Sequence, residues 1–524
     1  MKSSQPALQV ARGSTYLIAS NVANTAVSVG AFAIIARLIS REEMGILAVL
    51  LLLVAAVQVL AGLGLGVTAT KFVASFDAME ERDKMRRTSY SCLIINVLAT
   101  TVLVVALYLS ADRLAVFLLG SSSNANLLRL LTLEIAATSV NGPLVSVLAG
   151  LKRFREISLV SVTAFATRQI LVVFFLELGL GLPGLVIGYG IGDSLNSLAL
   201  FGYTRKFLGA LTADFGFTHL LKFSAPLLIR DAASFAWTWF DRALLLPLVA
   251  LSQLGAYNVA VTAFGILNSA PQAISGTLFP YYSHFYPDES KTAKTEDLEN
   301  AVTKASRYVS LFTIPLCLGL AATALPATTL LAGNIYADAA YPLAILSVSL
   351  AAGCLVRALS EIFVVLGRAK TSAAVTITSV FLSVLVGVAL VPSLGILGAS
   401  VARGASLLIA LGLSIPFLRR ILKLGFDMRA YRSAWLASLL MTGSVLAFEQ
   451  ILYSKYLLPA YIAVGGAVFF LALRPLHAIN QEDVQLVSDF LGVRFSFLVE
   501  WARRFLGVEA EKGARVFRRQ NSDG

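Results

Sequence analysis

The chain has 524 residues, 57% hydrophobic and 14% charged, with a mean hydropathy of +0.79 and a formal net charge of +12. Soluble domains carry about 25% charged residues, so this composition excludes a soluble enzyme and a nucleic-acid-binding domain and indicates an all-α polytopic membrane protein. Cys92, Cys317 and Cys354 lie in or beside apolar runs, and His219, His284 and His477 are scattered, so neither a disulfide framework nor a metal site is expected.

The N-terminal MKSSQPALQVARGS runs straight into a full-length apolar span without a cleavage signature, so no cleavable signal peptide is expected. Apolar runs of about 20 residues then predict fourteen membrane helices, near 14–36, 44–66, 89–110, 127–150, 157–178, 183–203, 223–249, 255–280, 307–331, 341–366, 371–391, 395–418, 433–452 and 456–473. The connecting segments alternate sharply in charge. One set, which includes both termini, holds 32 of the 42 Lys and Arg; the other holds only Arg37, Arg41, Arg113, Arg129 and Lys455. The positive-inside rule therefore predicts a multi-pass protein of the cytoplasmic membrane with both termini in the cytoplasm. The excess charge is topological, with some attraction for membrane lipid headgroups, and no nucleic-acid partner is expected.

An internal repeat organises the spans. Gly45 in ARLISREEMGILAVLLLL corresponds to Gly255 in LPLVALSQLGAYNVAVTA, and Thr70–Phe76 corresponds to Phe279–Phe285. Leu151–Val162 corresponds to Leu366–Ile377 and Leu182–Gly190 to Ile396–Gly404, all at offsets between 209 and 215. Six spans per copy make the two copies parallel, related by an axis along the membrane normal. The expected organisation is a six-helix bundle over 1–204, a cytoplasmic linker over 205–222, a second six-helix bundle over 223–420 and two extra helices over 421–474. A cytoplasmic amphipathic, basic tail follows over 475–524.

Glycine runs mislead. AGLGLGVT (Ala61–Thr68) and LGLGLPGLVIGYGIGD (Leu178–Asp193) lack the strand-turn-helix setting of a nucleotide site, and no phosphate-binding loop motif with its Lys exists. Gly184 and Gly188 read better as a close helix crossing, and no cofactor is expected. Glu42–Glu43 resembles a catalytic carboxylate pair only superficially, because every external connection is too short to hold an acceptor; the chain is not expected to be an enzyme.

Charges inside spans carry more information, since each costs roughly 2.5–3.5 kcal/mol on insertion scales. The seventh span, FSAPLLIRDAASFAWTWFDRALLLPL, carries Arg230, Asp231, Asp241 and Arg242. At about 100° per residue, Arg230, Ser234, Trp237, Thr238 and Asp241 fall near 0, 40, −20, 80 and 20°, a polar and aromatic stripe suited to a wet cavity. Arg168 lies mid-span, Asp193 and Arg403 lie at matching depth in equivalent helices of the repeat, and Arg357 and Glu361 are spaced to pair at i, i+4. Glu134, Glu177 and Glu449 lie toward outer ends, where water is within reach. Five intramembrane arginines and no lysine suit a phosphate or diphosphate headgroup, because guanidinium stays charged at depth and binds phosphate bidentately. Asp193, Asp231 and Glu361 are the candidate coupling or ion-pair carboxylates.

ARLISREEMGILAVLLLL, LGLGVTATKFVA, LLKFSAPLLIRDAASFAWTWFDRALLLPLVALSQLGAYNVA, AGNIYADAAYPLAILSVS and VVLGRAKTSAAV together resemble the polysaccharide-transporter branch of the multidrug/oligosaccharidyl-lipid/polysaccharide exporter superfamily. The resemblance covers roughly residues 10–475. It implies two six-helix lobes in a V, often with two extra helices. It also implies flipping of polyprenyl phosphate- or diphosphate-linked oligosaccharide by alternating access, with cations in the central cavity. That role falls on Arg230 and Arg242, with Asp241 completing the matching Asp-Arg pair; Arg168, Arg357, Arg403 and Trp237 join them from depth and position. A monomer working beside glycan-assembly enzymes is expected. The alternatives are a cation-coupled multidrug antiporter of the sister branch, whose first span would need more than Asn21 and Asn24, and a non-transporting scaffold.

Overall fold

The computed structural model describes residues 4–208, 217–285 and 295–476. The middle of the expected linker (209–216) and the expected amphipathic tail from 477 onward lie outside the described residues. Within them the chain is helical throughout, joined by short turns and 3₁₀ segments: α1 (Ser4–Leu38), α2 (Arg41–Gly62), α3 (Leu65–Ala78), α4 (Arg82–Leu119), α5 (Ala125–Ser139), α6 (Asn141–Gly150), α7 (Phe154–Glu177), α8 (Gly181–Thr204) and α9 (Phe217–Leu245). The order continues with α10 (Leu251–Phe285), α11 (Thr295–Ala322), α12 (Ala324–Ala332), α13 (Ala340–Ala352), α14 (Leu355–Val365), α15 (Ala369–Leu394), α16 (Ile396–Arg419), α17 (Met428–Ile451) and α18 (Leu458–Leu473). Eleven helical segments among the described residues are long and apolar enough to cross a bilayer. The fold is that of a multi-pass membrane protein, and its surface agrees. Leu98, Val102, Val105, Leu109 and Val116 recur every three, four or seven residues on α4 and stand exposed, an apolar stripe suited to a lipid environment.

Several expected spans are divided by local backbone chemistry. The second breaks after α2, where Leu63 (φ 47°) and Gly64 (φ 71°) both adopt the left-handed conformation, and α3 continues beyond it. The fourth divides at Val140, the ninth at Thr323 and the tenth at Gly353–Cys354. The third runs far past its expected 89–110, over 38 residues or about 57 Å. Ser40 starts α2 with a capping box: its hydroxyl accepts from the Glu43 N–H (3.2 Å), and its own N–H donates to the Glu43 carboxylate (2.8 Å). Glu43 is thereby a helix-start residue rather than half of a catalytic pair.

Helices α1–α8 pack chiefly among themselves, as do α9–α18, and the two sets meet along α2 with α9 and α10, α3 with α9, and α1 with α12. Glycine decides the closest approach. A Cβ on Gly45 would fall 1.9 Å from the Leu251 carbonyl oxygen, and one on Gly255 would fall 2.1 Å from that of Arg41. Only glycine at both positions lets α2 and α10 cross here. Around this crossing Arg37 Nη2 donates to the Leu330 carbonyl (2.6 Å), Arg41 pairs with Asp338, and the Tyr336 hydroxyl donates to the Ser40 carbonyl (3.3 Å). These contacts join the two helix sets on the face opposite the basic loops.

Nearer the basic face, α3 meets α9. The Phe72 and Phe223 rings stand 5.2 Å apart, and Lys71 Nζ sits 4.1 Å over the Phe223 ring. Gly64 presses on the α9 backbone, where a Cβ would come within 2.5 Å of the Ser224 carbonyl oxygen. The first glycine run thus serves a helix break and a helix crossing.

Candidate substrate cavity

A cavity of about 650 Å³ lies between these two crossings, walled by α2–α9. Its polar lining includes the amides and hydroxyls of Gln58, Asn96, Thr100, Thr138 and Asn141, and the ion pair of Arg168 with Asp193. The α9 wall is Asp231, Ser234, Phe235, Thr238 and Trp239. Only Ser234 and Thr238 belong to the stripe expected from sequence. Taking Arg230 as 0°, the observed face centres near 100°, a quarter-turn from the expected one. The cause is that α9 packs against both helix sets at once. Its Trp237 side packs with Phe240, Val380 and Ala402 against α15 and α16, which leaves the neighbouring side for the cavity.

The expected site residues therefore separate. Arg230 is outside the lining and spends its guanidinium on its neighbour, donating to Asp231 Oδ1 from Nε (3.1 Å) and Nη2 (2.7 Å). Arg357 donates to Asn268 Oδ1 on α10 (2.5 Å) and makes no ion pair with Glu361, because Asn268 reaches it across the helix interface. Arg168 Nη1 meets Asp193 Oδ2 at 3.3 Å and stacks 4.4 Å over the Tyr189 ring. The glycine spacing of α8 makes this meeting possible. A Cβ on Gly188 would lie 2.9 Å from the Val172 backbone, and one on Gly192 would lie 2.6 Å from the Arg168 Cα, so α7 and α8 touch backbone to backbone. Gly192 continues the Gly184–Gly188 series by one more turn, and that period was the signal available in the sequence.

Asp241 is fully buried and saturated. Its Oδ1 accepts from the Arg242 N–H (2.8 Å); its Oδ2 accepts from the Tyr257 hydroxyl (2.7 Å) and from Arg403 Nη1 (2.8 Å). Arg403 Nη1 also donates to the carbonyl of Thr238, a cavity residue (3.1 Å). Arg242 is buried too, yet its guanidinium takes no hydrogen bond or ion pair among the described residues; it stacks 4.4 Å over Trp239, which faces the cavity. This cluster holds two cations against one anion. Because guanidinium does not deprotonate in proteins, one positive charge is left over beside the cavity wall.

Glu134, expected to reach water, is 3% exposed on α5, within electrostatic range of Arg168 and Asp193. Glu177 is exposed and Glu449 half-buried. No group of His, Cys, Asp and Glu suited to a metal ion exists among the described residues, and Cys92, Cys317 and Cys354 are free and buried.

Comparison with known proteins places this architecture. The chain is 24% identical over 254 residues to the "probable low-salt glycan biosynthesis flippase Agl15" of Haloferax volcanii, covering 47% of this chain and 51% of that one. It is 26% identical over 320 residues to the "succinoglycan biosynthesis transport protein ExoT" of Rhizobium meliloti, covering 60% and 61%. The chain thus matches between half and two thirds of the length of these two relatives. In fold it is similar to the lipid II flippase MurJ in an inward closed conformation, with a TM-score of 0.70 at 15% identity over 87% of this chain and 98% of that one. An inward-facing multidrug resistance MATE transporter of the MOP superfamily matches with a TM-score of 0.60 at 14% identity, over 76% and 94%. A family profile described as "polysaccharide biosynthesis protein" matches residues 10–286, more than half of the sequence, and the chain belongs to that family.

Proposed function

We propose that this protein is a flippase that moves a polyprenyl phosphate- or diphosphate-linked oligosaccharide across the cytoplasmic membrane, for surface polysaccharide or glycoprotein glycan assembly. The observation that carries this reading is the pairing of a surplus buried arginine, Arg242, with a cavity whose lining is rich in amides and hydroxyls. Phosphate needs the cation, and sugar hydroxyls need neutral donors and acceptors. The named relatives, a glycan biosynthesis flippase and a succinoglycan transport protein, support it.

In this reading the basic face is cytoplasmic, α8, α9 and α10 also cross the bilayer, and fourteen crossings form two six-helix units plus a final pair. The contact between Gly45 and Gly255 supports two related units, since equivalent residues meet where they lie on a two-fold axis. Alternating access then requires the α2–α10 crossing to part while the polyprenyl tail stays in lipid. Arg168 meets the headgroup directly from the lining, and Arg242 and Arg403 act from behind the α9 wall through Trp239 and Thr238; Arg230 and Arg357 are spent on Asp231 and Asn268.

Lipid analysis of a deletion strain tests the proposal. Accumulation of one polyprenyl-linked glycan in the cytoplasmic leaflet, relieved by the wild-type gene and not by Arg242→Leu, is the expected result. Unchanged glycolipids together with lost drug efflux would overturn it in favour of a drug antiporter.

A further inference from the structure

Glu134 is anomalous. It is 3% exposed in α5, and no direct hydrogen bond or ion pair joins its carboxylate to another described residue. Beside it Arg168 also has an orphan, a buried Nε without an acceptor. The charged and titratable groups around Glu134 are few. Helix α7 brings Arg168; α8 brings Asp193 and Tyr189. Helix α2 carries no charged residue after Glu43, α4 carries none between Arg87 and Asp112, and α6 carries none at all. Tyr90, Cys92 and Tyr108 are the remaining titratable groups of that α4 stretch. At the far end of α5, Arg129 is already paired with Asp112 (2.6 Å). Across the cavity Asp231 is paired with Arg230 (2.7 Å).

One cation, Arg168, therefore faces two carboxylates. Asp193 takes its ion pair, and Glu134 is left with only the more distant field of the same arginine, in a medium where a charge without a direct partner is costly. The second cluster has the opposite imbalance, with Arg242 and Arg403 against Asp241. With Glu134 ionised, the two clusters beside the cavity cancel one another. With Glu134 protonated, the two clusters together leave one net positive charge beside the cavity.

We propose that Glu134, set against the Arg168–Asp193 pair in the wall of the cavity, is a proton-binding site whose occupancy prepares the cavity for an anionic headgroup. This rests on the flippase reading only for the nature of the anion. The proton adds to a carboxylate oxygen of Glu134 from water in the open cavity and leaves by the same route. Proton and headgroup binding are cooperative, because each removes the charge that disfavours the other.

The experiment has two parts on the full-length protein in detergent micelles. Infrared titration of the ligand-free protein should show the carbonyl stretch of a protonated carboxylic acid that vanishes as pH rises, and Glu134→Gln should lack it. Next, farnesyl diphosphate is added as the probe in weak buffer with a pH indicator. Wild type should take up a proton on binding and lose affinity roughly tenfold across the titration of Glu134, the scale expected for one charge acting through a partly wet interior. Glu134→Gln, the neutral isostere, should bind without proton uptake and without pH dependence, and Glu134→Asp should restore both. Proton release on binding, an unchanged infrared band in Glu134→Gln, or a response that follows sodium at fixed pH would each overturn the site. Failure of the probe to bind wild type, with the infrared result intact, would count against the flippase reading and leave the proton site standing.

Discussion

Arg242 and Arg403 flank the same carboxylate, but removing them should have opposite consequences for stability. Arg403 is half of a buried ion pair with Asp241 at 2.8 Å and also holds the Thr238 carbonyl. Arg403→Leu leaves Asp241 with a tyrosine hydroxyl and one backbone N–H but no direct ionic partner. Breaking such a pair costs about 3–5 kcal/mol. The nearby Arg242 charge places the expected loss at the lower end of that range, about 3 kcal/mol.

Arg242→Leu is different. Its guanidinium contributes a stack on Trp239, worth about 0.5–2 kcal/mol, while its burial without a hydrogen-bond partner costs several kcal/mol. The backbone N–H that it gives Asp241 survives the substitution. The variant should unfold at or above the wild-type temperature and yet fail to export glycan, the pattern of a residue kept for binding at the expense of stability. Thermal unfolding in detergent and complementation of a deletion strain measure the two quantities. Equal destabilisation by both substitutions would make Arg242 structural. Full export by a stable Arg242→Leu would remove it from the site.

The other expectations are simpler. Gly45→Ala and Gly255→Ala should each cost about 1–3 kcal/mol, because a methyl group would collide with a helix backbone rather than a movable side chain. If the α2–α10 crossing is the outer closure, both should also raise the reactivity of cysteines placed in the cavity toward an externally added thiol reagent, and unchanged labelling would refute that. Arg230→Ala should change stability by less than about 1 kcal/mol and leave export near wild type, since it removes only a half-exposed pair between adjacent residues; loss of export would return Arg230 to the site. At the start of α17, Asp427 Oδ1 accepts from the Ala430 N–H (2.8 Å), and its Oδ2 meets Arg307 Nη1 (2.8 Å). Burial acts to raise this carboxyl, but the hydrogen bonds and the arginine prevail and hold it below the usual carboxylate range. Its stabilisation is therefore complete above the unfolded value of about 4 and is lost as pH falls through the lower folded value. Asp427→Ala should cost about 0.5–2 kcal/mol at neutral pH by loss of the cap, and its melting temperature should converge with wild type in acid.

The sequence by itself determined the class of protein, the succession of apolar helices and which charges lie within them. A bilayer imposes length and polarity on each crossing segment separately, so that information is local. The sequence aligns Gly45 with Gly255 as equivalent positions, and in the fold these two residues meet. Where the side chains point was not legible. The periodicity aims the polar stripe of α9 at a cavity, but α9 packs against both helix sets, and its contact with α15 and α16 turns Trp237 and Asp241 inward and leaves Asp231, Phe235 and Trp239 to line the space. Pairing was equally hidden. Arg403 reaches Asp241 across 162 positions, and Arg168 reaches Asp193 only because Gly192 lets two helix backbones touch. Five intramembrane arginines looked alike in sequence; the tertiary structure neutralised some, turned others away and left Arg242 over. Electrostatics in a low-dielectric interior depends on distances of a few ångströms between distant segments, and only the packed fold sets those distances.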